Sequence, residues 1–218
     1  MKKIFTLLVM LIVAFGVKAQ WIAQSTGFAT ANTRISGISI VNPLIVWAAG
    51  TDEIYSNYIQ QYTKTVNGGN TWTPGTITFT GSSTCGIANL CAFNDTVCYA
   101  AMYPGAASNG GYIAKTTNGG TTWSIANSPS YSSSWLNFVY FFDVNNGVCV
   151  GDPNTSHQFI IYTTTNGGTS WTQVPVGNIP IANTGECGIV NIFNAKGDTI
   201  WFGTFQGRIY KSVIHQTG

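Results

Sequence analysis

The sequence contains 218 residues, of which only 7% are charged, and its formal net charge is +2 at pH 7. Three of the nine basic residues lie in the first 19 positions, so the remainder has six basic and seven acidic residues and a charge near −1. That balance argues against the strongly basic surfaces that bind nucleic acid or anionic membranes. The length is enough for one well-packed domain.

The first predicted element is a secretory signal peptide over residues 1–19. Lys2 and Lys3 precede an apolar run over 4–17, and Val17-Lys-Ala19 matches a small-residue cleavage site. The run is short for a membrane span. We therefore expect cleavage before Gln20 and no membrane insertion afterwards. The expected location is secreted, periplasmic or on a bacterial cell surface, with residues 20–218 as one domain.

Four groups of β-strand patterns follow, and each group begins with two apolar runs that are joined by a short turn. These pairs of runs cover 38–41 and 45–50, 87–93 and 96–101, 138–142 and 148–151, and 189–193 and 199–203. A third run follows in each group, at 62–65, 113–116, 161–164 and 208–212. Short runs of this kind, bounded by turn residues, predict antiparallel strands.

After each of the first three groups the chain repeats one eight-residue phrase. The copies are Thr65-Val-Asn-Gly-Gly-Asn-Thr-Trp72, Thr116-Thr-Asn-Gly-Gly-Thr-Thr-Trp123 and Thr164-Thr-Asn-Gly-Gly-Thr-Ser-Trp171. Asn-Gly-Gly between strands predicts a tight turn, and the Trp is large enough to fill the space between sheets. The alternative is a phosphate-binding glycine loop, which requires a following helix, and the pattern predicts none. We interpret twelve positions as structural: Thr65, Asn67, Gly69, Trp72, Thr116, Asn118, Gly120, Trp123, Thr164, Asn166, Gly168 and Trp171.

The spacing of the phrases predicts a β-propeller. The Trp residues of the three phrases are 51 and 48 residues apart, a period typical of one four-stranded antiparallel blade. Four blades are countable, and the last lacks a copy of the phrase. Residues 21–24, Trp-Ile-Ala-Gln, match the residues that follow each phrase Trp. We expect them to supply the fourth strand of the last blade and close the ring. The alternative is a piece of a larger propeller.

The phrase resembles the Asp-box, or BNR repeat, Ser/Thr-x-Asp-x-Gly-x-Thr-Trp, with Asn67, Asn118 and Asn166 in the Asp position. The chain is similar to the sialidase-like propeller superfamily, and most like bacterial repeat proteins of the photosystem II stability/assembly factor type. The resemblance implies the propeller fold. It does not select a function, because the box is structural in enzymes, receptors and assembly factors of that superfamily.

Cysteine and histidine positions give no metal or cofactor site. The cysteines are Cys85, Cys91, Cys98, Cys149 and Cys187. The sequence does not decide two pairings, a Cys91–Cys98 disulfide across a hairpin and a Cys85–Cys187 disulfide across the channel mouth. Cys149 has the pattern of a core residue. His157 and His215 are isolated from other ligand types, so we expect no metal and no cofactor.

Candidate binding residues fall on the loops opposite the phrase turns, where loop lengths vary from blade to blade. They combine aromatic rings for stacking with acids for hydrogen bonds. The residues are Asp52, Glu53, Tyr55, Tyr58, Tyr103, Trp135, Asp152, His157 and Glu186. The competing interpretation is that they pack or cap their own loops.

Three functions remain. The first is a non-catalytic binding or assembly propeller for a protein or a glycan. The second is a glycoside hydrolase using two of Asp52, Glu53, Asp152 and Glu186, which requires carboxylates about 5–10 Å apart. The third is a structural or adhesive surface module. Sialidases use three arginines, and this chain has only Arg34 and Arg208, so that activity is not expected. The sequence does not predict the oligomeric state.

Overall fold

The computed structural model describes residues 20–28, 30, 33–52, 58–105, 110–126, 131 and 134–213. These residues form four antiparallel sheets arranged as a β-propeller, which confirms the predicted all-β fold and the count of four blades. In the described part of the chain, the first three blades have four strands and the last has three.

The strands are numbered in chain order from the propeller axis outward within each blade. Blade 1 contains β1 Thr33–Ile40, β2 Val46–Asp52, β3 Gln61–Thr65 and β4 Thr73–Thr76. Blade 2 contains β5 Cys85–Ala92, β6 Cys98–Pro104, β7 Tyr112–Thr116 and β8 Ser124–Ile125. Blade 3 contains β9 Leu136–Phe141, β10 Gly147–Pro153, β11 Phe159–Thr164 and β12 Thr172–Gln173. Blade 4 contains β13 Gly188–Lys196, β14 Thr199–Thr204 and β15 Ile209–Val213.

The hydrophobic core lies between the blades. The second strands of blades 1–3 are apolar on both faces because each is sandwiched between neighbouring layers. Three apolar clusters follow, one at each junction between consecutive blades. At the first junction Trp123 of blade 2 packs against Trp47 and Tyr62 of blade 1, with ring centroids 6.4 and 5.5 Å apart. Near the axis, β1, β5, β9 and β13 contribute residues to a channel of about 410 Å³.

Each phrase folds into a closed turn. In blade 1, Thr65 Oγ1 donates to Asn67 Oδ1 at 2.9 Å and accepts from Gly69 N at 2.9 Å, and Thr71 N donates to Asn67 Oδ1 at 3.0 Å. Gly68 N donates to Leu44 O, so the turn is also tied to the β1–β2 connection. Both glycine amides are thus occupied internally, which argues against the phosphate-binding alternative.

The predicted closure of the ring by residues 21–24 is wrong in this structure. Residues 20–28 form no strand, and Trp21 is 98% exposed. The segment lies on blade 1, where Trp72 Nε1 donates to Gln24 Oε1 at 3.0 Å and Thr63 Oγ1 donates to Thr26 O at 2.8 Å. These contacts hold the segment against the first blade. The alternative, that the chain is a piece of a larger propeller, stays a prediction.

All five cysteines are free thiols. The Cys91–Cys98 disulfide fails because of register: Cys91 pairs with Tyr99 and Cys98 with Ala92, so the two thiols point to opposite faces of blade 2. The Cys85–Cys187 bridge is also absent. Cys149 is fully buried, as predicted. Among the residues that the structure describes, no helix is long and apolar enough to cross a bilayer.

Candidate functional site

The candidate site lies on the loop face, which we define as the face where β2, β6, β10 and β14 end. The structure describes seven of the nine predicted residues; Glu53 and Tyr55 lie outside the described ranges, as does His215. The seven fall into a row of aromatic rings, an acid beside that row, an enclosed acid in blade 4, and two further residues, Asp52 and His157.

Three aromatic side chains form a continuous row across blades 1 to 3. The Tyr58 and Tyr103 ring centroids are 6.2 Å apart with an angle of 67° between their planes. The Tyr103 and Trp135 rings stack at 4.7 Å with an angle of 13°. Tyr58 and Trp135 are 39% and 37% exposed at the two ends. We call Tyr58, Tyr103 and Trp135 the aromatic row.

Two glycines allow the row to pack closely. Tyr103 is the last but one residue of β6 and lies opposite Gly86, and a Cβ on Gly86 would collide with the Tyr103 ring. A Cβ on Gly105 would lie 2.6 Å from Cε2 of Tyr58. Burial raises the pKa of Tyr103, opposed by a hydrogen bond with Thr51. The hydroxyl of Tyr103 therefore stays protonated at neutral pH.

Asp152 adjoins the Trp135 end of the row. Asp152 N donates to Trp135 O at 2.8 Å, and the carboxylate accepts from Asn137 Nδ2 at 2.9 Å and from Gly188 N at 2.8 Å. Desolvation raises the pKa of Asp152, and hydrogen bonds from Asn137, Gly188 and Cys187 oppose that rise. The carboxylate links blade 3 to the first strand of blade 4, which is a structural role.

Sequence reasoning missed Asn137, which is 1% exposed beneath this acid. Its Oδ1 has no hydrogen-bond partner among the described residues. A single Asn within an apolar strand pattern does not indicate such a position, and its hydrogen-bond partner Asp152 is 15 residues away in the chain.

Glu186 is enclosed by blade 4 and does not reach the aromatic row. Its carboxylate accepts from Thr204 Oγ1 at 2.7 Å, from Asn183 N at 2.8 Å and from Arg208 Nη1 at 2.8 Å. The Glu186 side chain has no exposed surface. Desolvation acts to raise its pKa, but these hydrogen bonds and the Arg208 charge outweigh it, so the pKa is lowered. Glu186 is therefore ionised at neutral pH, and its carboxylate holds Thr204, Asn183 and Arg208 together.

The other two predicted residues lie at the end of β2 and in the β10–β11 connection. Asp52 is buried at the end of β2, opposite Thr33. His157 has a positive φ of 58°, and its backbone bonds to Asn154 and Ala182 shape the β10–β11 connection. The structure therefore brings together Tyr58, Tyr103, Trp135 and Asp152.

The described residues of this face offer aromatic contacts and hydrogen bonds. The described residues contain no group of three or more His, Cys, Asp or Glu side chains able to hold a metal. Burial raises the pKa of Cys91 to about 11 and of Cys149 to about 12, so neither thiol is a nucleophile at neutral pH. Exposed rings beside hydroxyl groups suit an apolar or aromatic partner group.

No protein-family model matches the chain, and no curated protein matches it. Solved structures are similar in fold. YCF48 from Cyanidioschyzon merolae has a TM-score of 0.57 and 14% identity, over 84% of this chain and 51% of that chain. YCF48 bound to D1 peptide has a TM-score of 0.52 and 14% identity, over 85% and 55%. This chain thus spans about half the length of the YCF48 chains.

Glycoside hydrolases share the same architecture. The GH74 xyloglucanase from Xanthomonas campestris has a TM-score of 0.57 and 13% identity, over 83% of this chain and 28% of that chain. The chain therefore spans just over a quarter of that enzyme. A protein that binds a peptide and a xyloglucanase are both among the similar structures, at identities that show the fold alone.

Proposed function

We propose that the protein is a non-catalytic binding propeller that holds a segment of a partner protein against the aromatic row. The observation that carries this proposal is the row itself, which crosses three blades of a rigid scaffold and is exposed at both ends. Aromatic side chains on loops above a fixed framework are typical of recognition surfaces. The YCF48 structure bound to D1 peptide supports a peptide ligand by analogy of fold.

The packing within the row favours a protein segment over a glycan. Sugars bind on the free face of an aromatic ring, whereas here Tyr103 presents one face to Trp135 and lies against the edge of Tyr58. What the row offers is apolar edges with adjacent hydroxyl groups. Those groups complement apolar side chains and backbone carbonyls.

The test is selection of peptides from a random-peptide phage library on the wild-type protein and on Trp135→Ala. We expect peptides that are enriched by the wild type and lost on the variant. Val144→Ala, an exposed apolar change on a turn at the opposite end of blade 3, is the matched control and should keep the binding. A glycan array is run in parallel. Glycan binding without peptide binding, or no binding in either assay, would contradict the proposal.

The hydrolase alternative depends on how the carboxylates are placed and exposed. It needs two accessible carboxylates about 5–10 Å apart. Glu186 is fully enclosed and paired with Arg208, and the Asp152 carboxylate is bonded to Asn137 and Gly188. These contacts support a binding role without catalysis. The non-catalytic assignment would be contradicted if the wild type released sugars from xyloglucan and Asp152→Asn abolished that release.

We further propose that the phrases are Asp-box repeats with Asn in the Asp position, and that residues 1–19 are a signal peptide. The closed turns made by Thr65, Asn67 and Gly69 and their equivalents support the first. The basic start and apolar run support the second. Mass spectrometry of the N-terminus after expression in a bacterium tests the second: the expected first residue is Gln20, and an intact N-terminus in the cytoplasm would contradict export.

A further inference from the structure

Blade 4 presents an exposed aromatic ring on the loop face that the sequence pattern did not indicate. Phe205 follows directly after β14 and is 73% exposed. Its backbone is fixed, because Phe205 N donates to Cys187 O at 3.1 Å and Gly207 N closes the same turn on Thr204 O at 3.1 Å. A single exposed apolar residue is common on protein surfaces. The neighbours of Phe205 are what give this one a function.

Asp152 connects the aromatic row to the loop that carries Phe205. On one side, Asp152 N donates to Trp135 O at 2.8 Å. On the other side, Gly188 N donates to the Asp152 carboxylate at 2.8 Å, and the preceding residue, Cys187, accepts from Phe205 N. A short series of hydrogen bonds therefore joins Trp135 to Phe205. The loop face thus carries an exposed ring, a carboxylate and a second exposed ring across blades 3 and 4.

The Asp152 carboxylate has no cationic partner among the residues that the structure describes. Its hydrogen-bond partners are neutral. The Asn137 amide and the Gly188 backbone both donate to Oδ1, and the third partner is the Cys187 thiol. Desolvation and the neighbouring carboxylate raise the pKa of Cys187, so the thiol is uncharged at neutral pH. The negative charge of Asp152 is therefore not neutralised in the described part of the chain.

Glu186 shows how an acid of this face is arranged when its role is only structural. Its carboxylate is paired with Arg208 at 2.8 Å, and its side chain has no exposed surface. Asp152 differs in both respects, since it is half-buried and its described partners are neutral. A partly desolvated carboxylate without a cation gains most from a cationic group that a ligand supplies.

We propose that the loop face binds a protein segment in which a basic side chain is flanked by apolar residues. The basic group donates to the Asp152 carboxylate, one apolar neighbour contacts Trp135, and the other contacts Phe205. The charge of the partner and the contact on blade 4 add to the proposed function, on which they rest.

A segment of protein suits this surface better than a small cation does. One carboxylate with neutral neighbours offers too few oxygen ligands for a metal ion. The exposed rings on either side of Asp152 also require apolar groups in the same ligand. A protein chain carries both kinds of group along one backbone. Because the rings and the carboxylate are held in place before binding, the partner bears most of the ordering cost.

The first test uses peptides selected from a random library on the wild-type protein. We expect Lys or Arg to be enriched in them, next to apolar residues. Replacing that basic residue by norleucine keeps an aliphatic stem and removes the charge. The change should weaken binding about tenfold in calorimetry, the usual effect of losing a charge-assisted hydrogen bond. Added salt should reduce the difference in affinity between the two peptides.

Asp152→Asn is the matched change on the protein, since Oδ1 remains an acceptor for Asn137 and Gly188. This variant should bind the basic peptide about tenfold more weakly and the norleucine peptide as tightly as the wild type does. Asp198→Asn, an exposed acid-to-amide change between β13 and β14 on the turn face, is the control and should leave both affinities unchanged. Phe205→Ala should weaken both peptides about fivefold without lowering the melting temperature.

The possible outcomes separate the charge of the partner from the proposed function itself. If no peptide is selected, or if Trp135→Ala keeps the binding, both fail. If binding requires Trp135 but neither the norleucine peptide nor Asp152→Asn changes the affinity, the aromatic row binds a partner without recognising a charge, and only the present proposal is overturned. An unchanged affinity in Phe205→Ala would overturn the contact on blade 4.

Discussion

The turn face and the loop face are opposite ends of the same strands, yet their residues behave differently. On the turn face, the Thr Oγ1 of each phrase accepts from the second glycine amide at 2.9, 2.9 and 3.0 Å in the three blades. On the loop face, the residues that end the second strands differ in type from blade to blade: Asp52, Pro104, Pro153 and Thr204. Repetition marks the positions that hold the sheets together. Variation marks the positions that are free to recognise a partner.

The largest loss of stability is expected from Gly120→Ala on the turn face. Gly120 has φ of 89°, and an added Cβ would collide with Tyr62 Oη, which donates to Gly120 O at 3.1 Å. The left-handed backbone costs about 1–2 kcal/mol with a side chain, and displacing Tyr62 from a packed junction costs about 1–3 kcal/mol. We expect a loss of about 3–4 kcal/mol in the free energy of unfolding, measured by urea denaturation.

Gly177→Ala is the control for this change, because a Cβ there has no atom within 4 Å. It should alter stability by less than about 0.5 kcal/mol. Equal losses of unfolding free energy in Gly120→Ala and Gly177→Ala would mean that the tight turn does not stabilise the packing between blades.

The second prediction concerns the phrase threonines. Thr116 is 1% exposed, and its Oγ1 accepts from Gly120 N. Thr116→Val keeps the shape and leaves that half-buried amide without an acceptor, which costs about 2 kcal/mol. Thr65→Val and Thr164→Val should lose similar amounts, since their turns have the same bonds. The exposed Thr172→Val on β12 should be neutral; a phrase variant as mild as this one would contradict the structural role.

The third prediction tests an exception, a loop-face residue with a structural role. The lowered pKa of Glu186 means that its contribution to stability is present above its unfolded pKa, near 4.3, and is lost as pH falls through the folded value. Glu186→Gln should lose about 1.5 kcal/mol at pH 7, the usual worth of a charge-assisted hydrogen bond.

The difference from wild type in the Glu186→Gln variant should shrink as pH falls below the unfolded pKa. Asp198→Asn, an exposed acid-to-amide change, serves as the control. A stability difference between wild type and Glu186→Gln that stays constant from pH 7 to pH 3 would rule out the ion pair as its source.

The blades were predictable because their signals are local. The phrase, its spacing and the apolar runs each lie within one blade, so they predict strands and junction Trp residues without knowledge of distant contacts. The Cys91–Cys98 disulfide was not predictable, since one step of register moves a side chain to the other face of a sheet. The loop-face residues were predicted by type, but the stacking of Tyr103 on Trp135 joins positions that only the packing of blades 2 and 3 brings together.

The N-terminal segment shows the same limit of sequence reasoning. Its likeness to residues 123–126 indicated an outer strand, and its contact with Trp72 agrees with such a position. What the pattern alone did not decide was where the segment lies. In the structure residues 20–28 form no strand and contact Trp72 and Thr63 of blade 1.

The smallest effect on stability is expected at the aromatic row. Trp135→Ala removes the stack on Tyr103, worth about 1 kcal/mol because Trp135 is 37% exposed and leaves little buried space behind. The same variant should lose peptide binding at least tenfold, measured by calorimetry with a peptide selected on the wild type. Trp135→Phe keeps a stacking ring and should recover most of both. If Trp135→Ala bound the peptide as tightly as the wild type, the aromatic row would have only a structural role. The differences between blades in loop-face residues would then need another explanation.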